Sequence, residues 1–536
     1  MEQMSQQPAA GRTVGTPRAI RRAILSVSDK AGIARLARFL HEHNVEIIAT
    51  GGTLSLLRSK RIPAVSILSL TGYPEILGGR VKTLHPQIHG GILFRRGNAT
   101  DEEQCTKHKI RPIDLVVINL YPFESVTAKS ECTDEEAIEN IDIGGPTMIR
   151  AAAKNHESVV VLTDPADYPE FMEKFEQGQG MIDLDTRRVW AARAFARTAT
   201  YDAAIASFLE KRWETPGEAP SLRVSAFKRQ RTLRYGENPH QRGALYQKLG
   251  GVDLSLTDAE VLGGKELSYN NYFDLECALS IVTDFRSRPF AVVIKHATPC
   301  GAAEADTPAQ AYQLAHDTDP MSAYGGIIGL NRVVDMAIAE KIDATFFLEC
   351  VLAPGYEEEA LALLKKKKTR RFLKLAGILN PPPPSNWVYR VISGGLLAQS
   401  PDALEVTSDN LKIVTKVAPR AELIPSLVFG RRLVKHVRSN AIVLVKGAAA
   451  VGIGGGQTSR IDAVKMAIEK AGDRAAGSVL ASDAFFPMPD NIEAAAKAGV
   501  VAIIQPGGSK QDPEVIAAAD QLGMAMVFSG VRNFRH

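Results

Sequence analysis

The sequence predicts an α/β protein of two regions, the first a doubly wound parallel sheet. Two observations carry this. Short apolar strands alternate with amphipathic helical patterns along the amino-terminal part, which is the signature of parallel strands joined by crossover helices. A Pro- and Glu-bearing stretch, Glu214-Thr-Pro-Gly-Glu-Ala-Pro-Ser221, then interrupts an otherwise regular alternation and reads as a linker. The expected organisation is a polar tail over 1–19, a first domain over 20–213, the linker 214–221, and a second region over 222–536.

Taken in order, Ala23-Ile-Leu-Ser-Val27 is a short buried strand, and Ser28-Asp29 supplies a cap for the next helix. In that helix Ile33, Leu36, Ala37 and Leu40 recur at i, i+3, i+4 and i+7, so they share one apolar face. Val45 to Ala49 is a second strand, followed by Thr50-Gly-Gly-Thr53 and another helix; Asp114–Asn119 and Ser158–Leu162 repeat the strand pattern. A helical stretch rich in Arg and Ala runs from Thr186 to Arg212. Beyond the linker the α/β pattern resumes, broken by Lys365–Lys368, which reads as solvated surface, and by Pro381–Pro384, a stiff loop. No tandem repeat is visible.

Composition narrows the function. With 64 Lys+Arg against 60 Asp+Glu, the net charge is only +4 over 536 residues, so nothing demands a nucleic-acid partner. The five cysteines are scattered, odd in number and without a C-x-x-C pair, which argues against a disulfide scaffold or structural zinc and suits a reducing cytoplasm. The first residues lack the apolar core of a signal peptide, and aliphatic runs such as Val500–Ile504 fall far short of a membrane span. A cytoplasmic protein acting on small molecules is expected.

Two loops then stand out. Ser26-Val-Ser-Asp-Lys30 and Thr50-Gly-Gly-Thr53 place hydroxyls and free N–H groups at helix amino termini, where anions are attracted. Either alone reads more readily as a capped turn; both lie at the carboxyl ends of strands, where open α/β sheets bind ligands. Gly79-Arg-Val-Lys-Thr-Leu-His85 adds two cations and a hydroxyl with no acidic partner nearby in sequence.

Together with Asn119-Leu-Tyr-Pro-Phe123, Asp142-Ile-Gly-Gly-Pro146 and Arg150-Ala-Ala-Ala-Lys-Asn-His156, these motifs closely resemble the bifunctional purine-biosynthesis family that joins an AICAR transformylase to an IMP cyclohydrolase. The resemblance implies a methylglyoxal synthase-like first domain. Its nucleotide-binding positions fall on Ser26, Ser28, Lys30, Thr50, Gly51, Gly52, Thr53, Arg80, Lys82 and Thr83, with Asn119 beside them; its chemical groups fall on Lys82, Tyr121, Asp142 and Lys154. Ring closure requires the carboxamide nitrogen to attack the formyl carbon and water to leave. Lys82 and Tyr121 suit the developing oxyanion. Asp142 and Lys154 suit proton transfer, and which of them is the base stays open. Apart from the family match, Lys154 reads as an exposed helix lysine.

In the second region, Lys295-His-Ala-Thr-Pro-Cys-Gly301 follows the apolar strand Phe290–Ile294. A lysine beside the imidazole disfavours a second positive charge and so favours a neutral base. Arg234-Tyr-Gly-Glu-Asn-Pro-His-Gln241 is a turn or a ligand wall. Pro299-Cys300 invites comparison with zinc deaminases, but position 303 is Ala and no H-x-E occurs, so zinc deamination is excluded. The resemblance extends through Ser322–Gly326, Ser439-Asn440, Gly452–Arg460, Ser482–Pro487, Gln505–Ser509 and Arg532–His536. It implies a cytidine deaminase-like transformylase without zinc, with Arg234, Tyr235, Gly325, Glu349, Asn440, Arg460 and Arg532 on AICAR. Ile461, Phe485, Asp490, Ser509 and Lys510 would line the site of the co-substrate 10-formyltetrahydrofolate. Lys295, His296 and Asn440 would carry the transfer. It further implies a homodimer with shared transformylase sites and a monovalent cation, K⁺, held mostly by backbone carbonyls.

There are departures: Thr298 stands where the family has Asn or Ser, Met488 where Phe is common, and Asn533 where His is common, while Gly447–Ala450 replaces a more polar turn and is expected at the surface. A nucleotide-sensing regulator is the competing reading. It needs the phosphate loops but not Lys82, Tyr121, Asp142, Lys154, Lys295 and His296 together.

Overall fold

The computed structural model describes residues 19–129, 131–213, 218–249, 254–383 and 387–536. Residues 1–18 of the expected tail, 214–217 of the expected linker and Pro384 of the proline run lie outside the described residues. The chain forms two units, residues 1–228 with 248–251, and residues 229–247 with 252–536.

The first unit is built on five parallel strands: β1 (Arg22–Val27), β2 (Glu46–Ala49), β3 (Val65–Ser66), β4 (Leu115–Asn119) and β5 (Val160–Leu162), in the order β3–β2–β1–β4–β5. Building outward from β1 in both directions is the doubly wound arrangement, and it places helices on both faces. Ala23, Leu25 and Val27 enter one core with α1 (Ile33–Glu42), while Ile24 enters the opposite core with α3 (Gly144–Lys154) and α4 (Leu184–Trp213). Burial on both faces is why these strands read as continuous apolar runs. α1 buries Ile33, Leu36, Ala37 and Leu40, the four positions its spacing predicts.

The start of α1 departs from expectation. Gly32, left-handed at φ 68°, is its cap, and no side chain caps it. Asp29 instead accepts the Ala31 N–H at 2.8 Å, which closes the preceding loop. Between α1 and α3 lies α2 (Gly51–Ser59), whose first residues come straight from the end of β2.

The second unit carries a twelve-stranded mixed sheet. Its strands are β6 (Glu260–Gly263), β7 (Phe290–Lys295), β8 (Thr298–Glu304), β9 (Gly326–Leu330), β10 (Leu348–Ala353), β11 (Arg371–Lys374), β12 (Lys412–Ile413), β13 (Ile442–Lys446), β14 (Ala449–Gly454), β15 (Val479–Ser482), β16 (Ala502–Gln505) and β17 (Ala525–Phe528). The order is β12–β17–β16–β15–β13–β14–β8–β7–β9–β10–β11–β6.

Read outward from the central β14–β8 pair, the two halves have the same plan. Each begins with an antiparallel hairpin, β7–β8 or β13–β14, continues through an antiparallel neighbour into a run of three parallel strands, and ends on an antiparallel edge strand. The sequence shows no tandem repeat, yet the topology is duplicated. One face carries a single core under α5 (Tyr269–Val282) and α7 (Ile424–Val434). The other carries two separate cores, one under α6 (Pro308–Thr318) and one under α8 (Arg460–Ala471).

The same residue type solves the same packing problem in each half. A Cβ on Gly301 of β8 would lie 1.9 Å from the Ala315 carbonyl oxygen of α6, and one on Gly452 of β14 would lie 2.1 Å from the Ala467 carbonyl oxygen of α8. Only a bare Cα lets each helix sit that close to its strand. Gly447–Ala450 keeps its expected surface position only at its start: Gly447 is exposed and left-handed at φ 65° in the second hairpin's turn, whereas Ala449 and Ala450 are buried in β14.

Candidate active sites

In the first unit the predicted loops meet at the carboxyl ends of β1, β2 and β4. Ser26 and Thr50 share a hydroxyl–hydroxyl bond of 2.7 Å, and Thr53 accepts the Val27 N–H at 3.1 Å. Asn119 braces the first loop rather than projecting from it. Its amide oxygen accepts the N–H groups of Ser28 and Asp29, and its amide nitrogen donates to the Asp29 carbonyl at 2.9 Å. Lys30 donates to the Val27 carbonyl and to Thr53 Oγ1, and burial lowers its pKa against the opposing pull of Asp29.

Two ammonium groups border the amino terminus of α2. A Cβ on Gly51 would lie 3.1 Å from Lys82 Nζ, and one on Gly52 would lie 3.9 Å from Lys30 Nζ. Glycine at both positions therefore leaves an open, cation-lined cradle above free helix N–H groups, which is the chemistry of a phosphate site. Arg80 and Lys82 do have acidic partners, contrary to the sequence reading: Arg80 pairs with Glu139, and Lys82 with Glu75 at 2.8 Å. The Arg80 pair is solvent-facing, and such pairs are worth about 1 kcal/mol or less, whereas Lys82 is half-buried beside Glu75.

Thr83 is buried against Gly144, at whose position a Cβ would lie 2.4 Å from Thr83 Oγ1. Asp142 accepts the Gly145 N–H at 2.8 Å, and its own N–H donates to the Tyr201 hydroxyl at 2.8 Å. Burial raises the Asp142 pKa, against the opposing hydrogen bonds from the backbone of Gly145 and Tyr121. The Tyr121 side chain is exposed nearby in sequence to that amide. Lys154 is not brought to this group. It is exposed at the last residue of α3, whose eleven residues put it about 15 Å from the end where Asp142 sits. Lys154→Met is accordingly expected to slow single-turnover cyclisation less than Asp142→Asn does; equal losses would place Lys154 against the reacting atoms.

In the second unit the predicted residues gather at one end of the sheet but in two sets. Lys295 ends β7, and its Nζ donates to the Tyr324 carbonyl at 2.7 Å, one residue before Gly325. His296 and Ala297 form the hairpin turn, both left-handed at φ 50° and 55°, and His296 is exposed. Thr298 donates back to the His296 carbonyl at 3.4 Å. Glu349, near the start of β10, pairs with Arg371. Arg234 lies over the Tyr235 ring at 5.7 Å, and the following loop closes through a 2.8 Å bond from the Gly236 N–H to the Gln241 carbonyl, a turn.

The other set begins at Asn440, just before β13. Its side-chain oxygen accepts from Arg460 at 2.8 Å and its amide donates to the Gln457 carbonyl at 2.9 Å. Arg460 is 7% exposed and is also held by Asp483 and Ser482, so it orients Asn440 as much as it faces a ligand. Ile461 follows on α8, Phe485 and Asp490 follow β15, Ser509 and Lys510 follow β16, and Arg532, stacked 4.4 Å over Phe534, follows β17. Phe485 and Met488 are both exposed. With strands about 4.8 Å apart, β13 stands about 14 Å and β16 about 24 Å from β7 across the sheet. Among the described residues, no group of three His, Cys, Asp or Glu side chains is placed to hold a metal ion.

Sequence reasoning missed Asp274 on α5, which accepts the Ala297 N–H at 2.6 Å. Nothing in the linear pattern connects it to the hairpin.

The chain is similar to known proteins along most of its length. Residues 152–470 match the AICARFT/IMPCHase bienzyme family, and residues 32–147 match the MGS-like domain. The chain is 48% identical over 531 residues to a protein of Magnetococcus marinus, covering 96% of this chain and 99% of that one. It is 50% identical over 529 residues to a protein of Sorangium cellulosum, covering 96% and 100%. A Bacillus subtilis relative is 47% identical over 518 residues. All three are described as bifunctional purine biosynthesis protein PurH.

Proposed function

Since the chain belongs to the AICAR transformylase/IMP cyclohydrolase bienzyme family, we propose that its first unit closes the purine ring and its second transfers the formyl group. The protein is a bifunctional enzyme of the last two steps of IMP synthesis, formyl transfer from 10-formyltetrahydrofolate to AICAR and dehydrative closure of the product FAICAR to IMP. Its amino-terminal domain is MGS-like. The cytidine deaminase-like assignment of the second unit stays part of the proposal, and its working without zinc rests on Ala303 and the missing H-x-E.

For cyclisation, the cradle of Lys30, Lys82 and the Gly51 and Gly52 amides holds the nucleotide phosphate, with Ser26, Ser28, Thr50, Thr53, Arg80 and Thr83 around it. That cradle is the observation that carries the assignment. The carboxamide nitrogen attacks the formyl carbon while Asp142 takes its proton, and the C=O electrons move onto oxygen beside Lys82 and Tyr121. Asp142 returns that proton to the oxygen, giving a hydroxyl; the former formamide nitrogen then gives up its N–H proton as its C=N bond forms, and the hydroxyl takes up that second proton and leaves as water. Lys154 belongs to this proposal on the resemblance alone.

For transfer, the AICAR amine attacks the formyl carbon of the folate. His296 takes the amine proton, and Lys295 and Asn440 donate to the developing oxyanion. Collapse breaks the bond to the folate nitrogen, which is protonated and leaves as tetrahydrofolate. Arg234, Tyr235, Gly325, Glu349, Arg460 and Arg532 are proposed to bind AICAR, and Ile461, Phe485, Asp490, Ser509 and Lys510 the folate. The monovalent cation stays part of the proposal, and the proton and oxyanion steps do not run through it.

The separation across the sheet supports a homodimer in which one protomer supplies Lys295 and His296 and its partner supplies the Asn440 set. A second feature points the same way. The hairpin Val388–Ile392 with Gly395–Gln399 exposes Val391 (83%) and Leu397 (56%), and an isolated two-stranded sheet is marginal in water without a cover. Mixing His296→Ala and Asn440→Ala chains, with tetrahydrofolate and IMP followed together, is expected to restore about one quarter of wild-type transfer, since half the dimers are mixed and each holds one intact site of two. No recovery would place each site within a single chain. A cytoplasmic location is supported by the five free cysteines and by the fact that, among the described residues, no helix is long and apolar enough to cross a membrane.

A further inference from the structure

The two hairpins of the second unit allow an internal comparison. In the first, Lys295 ends its strand and donates to the Tyr324 carbonyl; in the second, Lys446 ends its strand and donates to the Ala476 carbonyl at 3.1 Å. Each acceptor precedes a left-handed glycine, Gly325 at φ 68° and Gly477 at φ 76°. In both halves a side chain from the preceding helix also grips the turn. Ser426 of α7 donates to the Gly447 carbonyl at 2.6 Å, and Asp274 of α5 accepts from the Ala297 N–H at 2.6 Å.

The halves differ in two respects, and both fall on the first turn. It places two non-glycine residues, His296 and Ala297, in the left-handed region, where the second turn has Gly447 alone. Side chains there are strained and persist only where surrounding contacts hold them. The first turn is also held by a carboxylate where the second is held by a neutral hydroxyl. Holding a turn therefore does not require charge in this fold. The charge at position 274 answers to something else in the first half, and what that half has in addition is the imidazole of His296.

We propose that Asp274 is a positioning residue for His296: it pins the strained turn that presents the imidazole, and its negative charge stabilises the imidazolium formed as the AICAR amine gives up its proton. This rests on His296 being the base of formyl transfer. The proton moves from the amine to the imidazole as the new N–C bond forms, so a positive charge appears beside Asp274 while the oxyanion appears beside Lys295. The carboxylate sits where it interacts with His296 and Lys295 of the hairpin, with Glu349 and Cys350 of β10, and with Cys277 of its own helix. Burial raises its pKa; the Ala297 amide, His296 and Lys295 pull the other way.

Asp274→Asn keeps a hydrogen-bond acceptor and removes the charge, and Asp274→Ser installs the residue type that grips the second turn. In the full-length enzyme both are expected to lower kcat/KM for formyl transfer by about 10- to 100-fold, the range typical of losing a group that orients an imidazole. Cyclisation of supplied FAICAR should be unchanged. The acid limb of the transfer profile should move to lower pH, because losing the anion disfavours the protonated imidazole. Asp274→Glu should recover part of the rate, and adding Asp274→Asn to His296→Ala should cost nothing further. A wild-type rate and acid limb in Asp274→Asn, with transfer lost in His296→Ala, would overturn this inference alone. A rate loss with an unmoved acid limb and a lowered Tm would reduce Asp274 to a structural clamp. Normal transfer in His296→Ala would remove the base assignment and this inference with it.

Discussion

Replacing His296 by alanine is expected to lower formyl transfer by roughly 10²- to 10⁴-fold, the usual range for a general base. The reasoning starts from the substrate. The AICAR amine shares its lone pair with the ring and carboxamide, so it attacks only if its proton is accepted as the bond forms. His296 is an exposed imidazole in the described hairpin, presented by a backbone that holds it in the left-handed region. Alanine favours that backbone less than histidine does, but Ala297 already adopts it one residue on, so the fold should survive. Ring closure of supplied FAICAR by the first unit should proceed at the wild-type rate. Following tetrahydrofolate release and IMP formation separately checks both halves, and transfer within a fewfold of wild type would exclude His296 from the mechanism.

The second large effect is expected at Asp142. Asp142→Asn should lower single-turnover cyclisation of FAICAR by roughly 10²-fold or more, again the scale of a lost proton acceptor. Asparagine keeps an oxygen for the Gly145 N–H, so the start of α3 should stay in place. The pH dependence carries a sign. Burial raises the Asp142 pKa above its ordinary 3.8, and the base form is the ionised one. Cyclisation should therefore fall as pH falls through a value above that of a free aspartate, and the limb should vanish in Asp142→Asn. A limb unchanged in the variant would assign the proton transfer to another group.

Much of the first unit was legible because its information is local. The spacing of Ile33, Leu36, Ala37 and Leu40 is the burial pattern itself, and Thr50-Gly-Gly-Thr53 lies directly between β2 and α2. What depends on the folded chain was not legible. Glu139 lies 59 positions from Arg80, so a reading of the neighbouring residues finds no acid for that cation. Gly32 caps α1 because the loop is already closed by Asp29 on Ala31, a bond that a list of capping residues does not anticipate. The duplication escaped for a related reason. Lys295-His-Ala-Thr-Pro-Cys-Gly301 and Lys446-Gly-Ala-Ala-Ala-Val-Gly452 share a lysine, an alanine and a glycine at matching places, too little for a repeat signal. The topology nevertheless uses each of those positions. Asp274 is the plainest case, an ordinary helical aspartate until the helix is laid against the hairpin.

The central pair of the twelve-stranded sheet also bears on how this protein is made. Ala303 on β8 lies opposite Ala449 on β14, so the two half-sheets join through residues 146 positions apart. Each half has a core of its own on one face only, and the core under α5 and α7 is shared by both, so completing it waits for a long-range encounter, and such encounters are the slow part of folding. During synthesis β8 emerges first and presents an open strand edge until β14 arrives. An open edge is a template for pairing with the wrong chain. The edge is blunted by a single charge, Glu304, because Gly301, Ala302 and Ala303 carry none to repel a stranger. Late assembly of this seam therefore makes the nascent chain most vulnerable to aggregation after the first half-sheet has formed and before the second is complete.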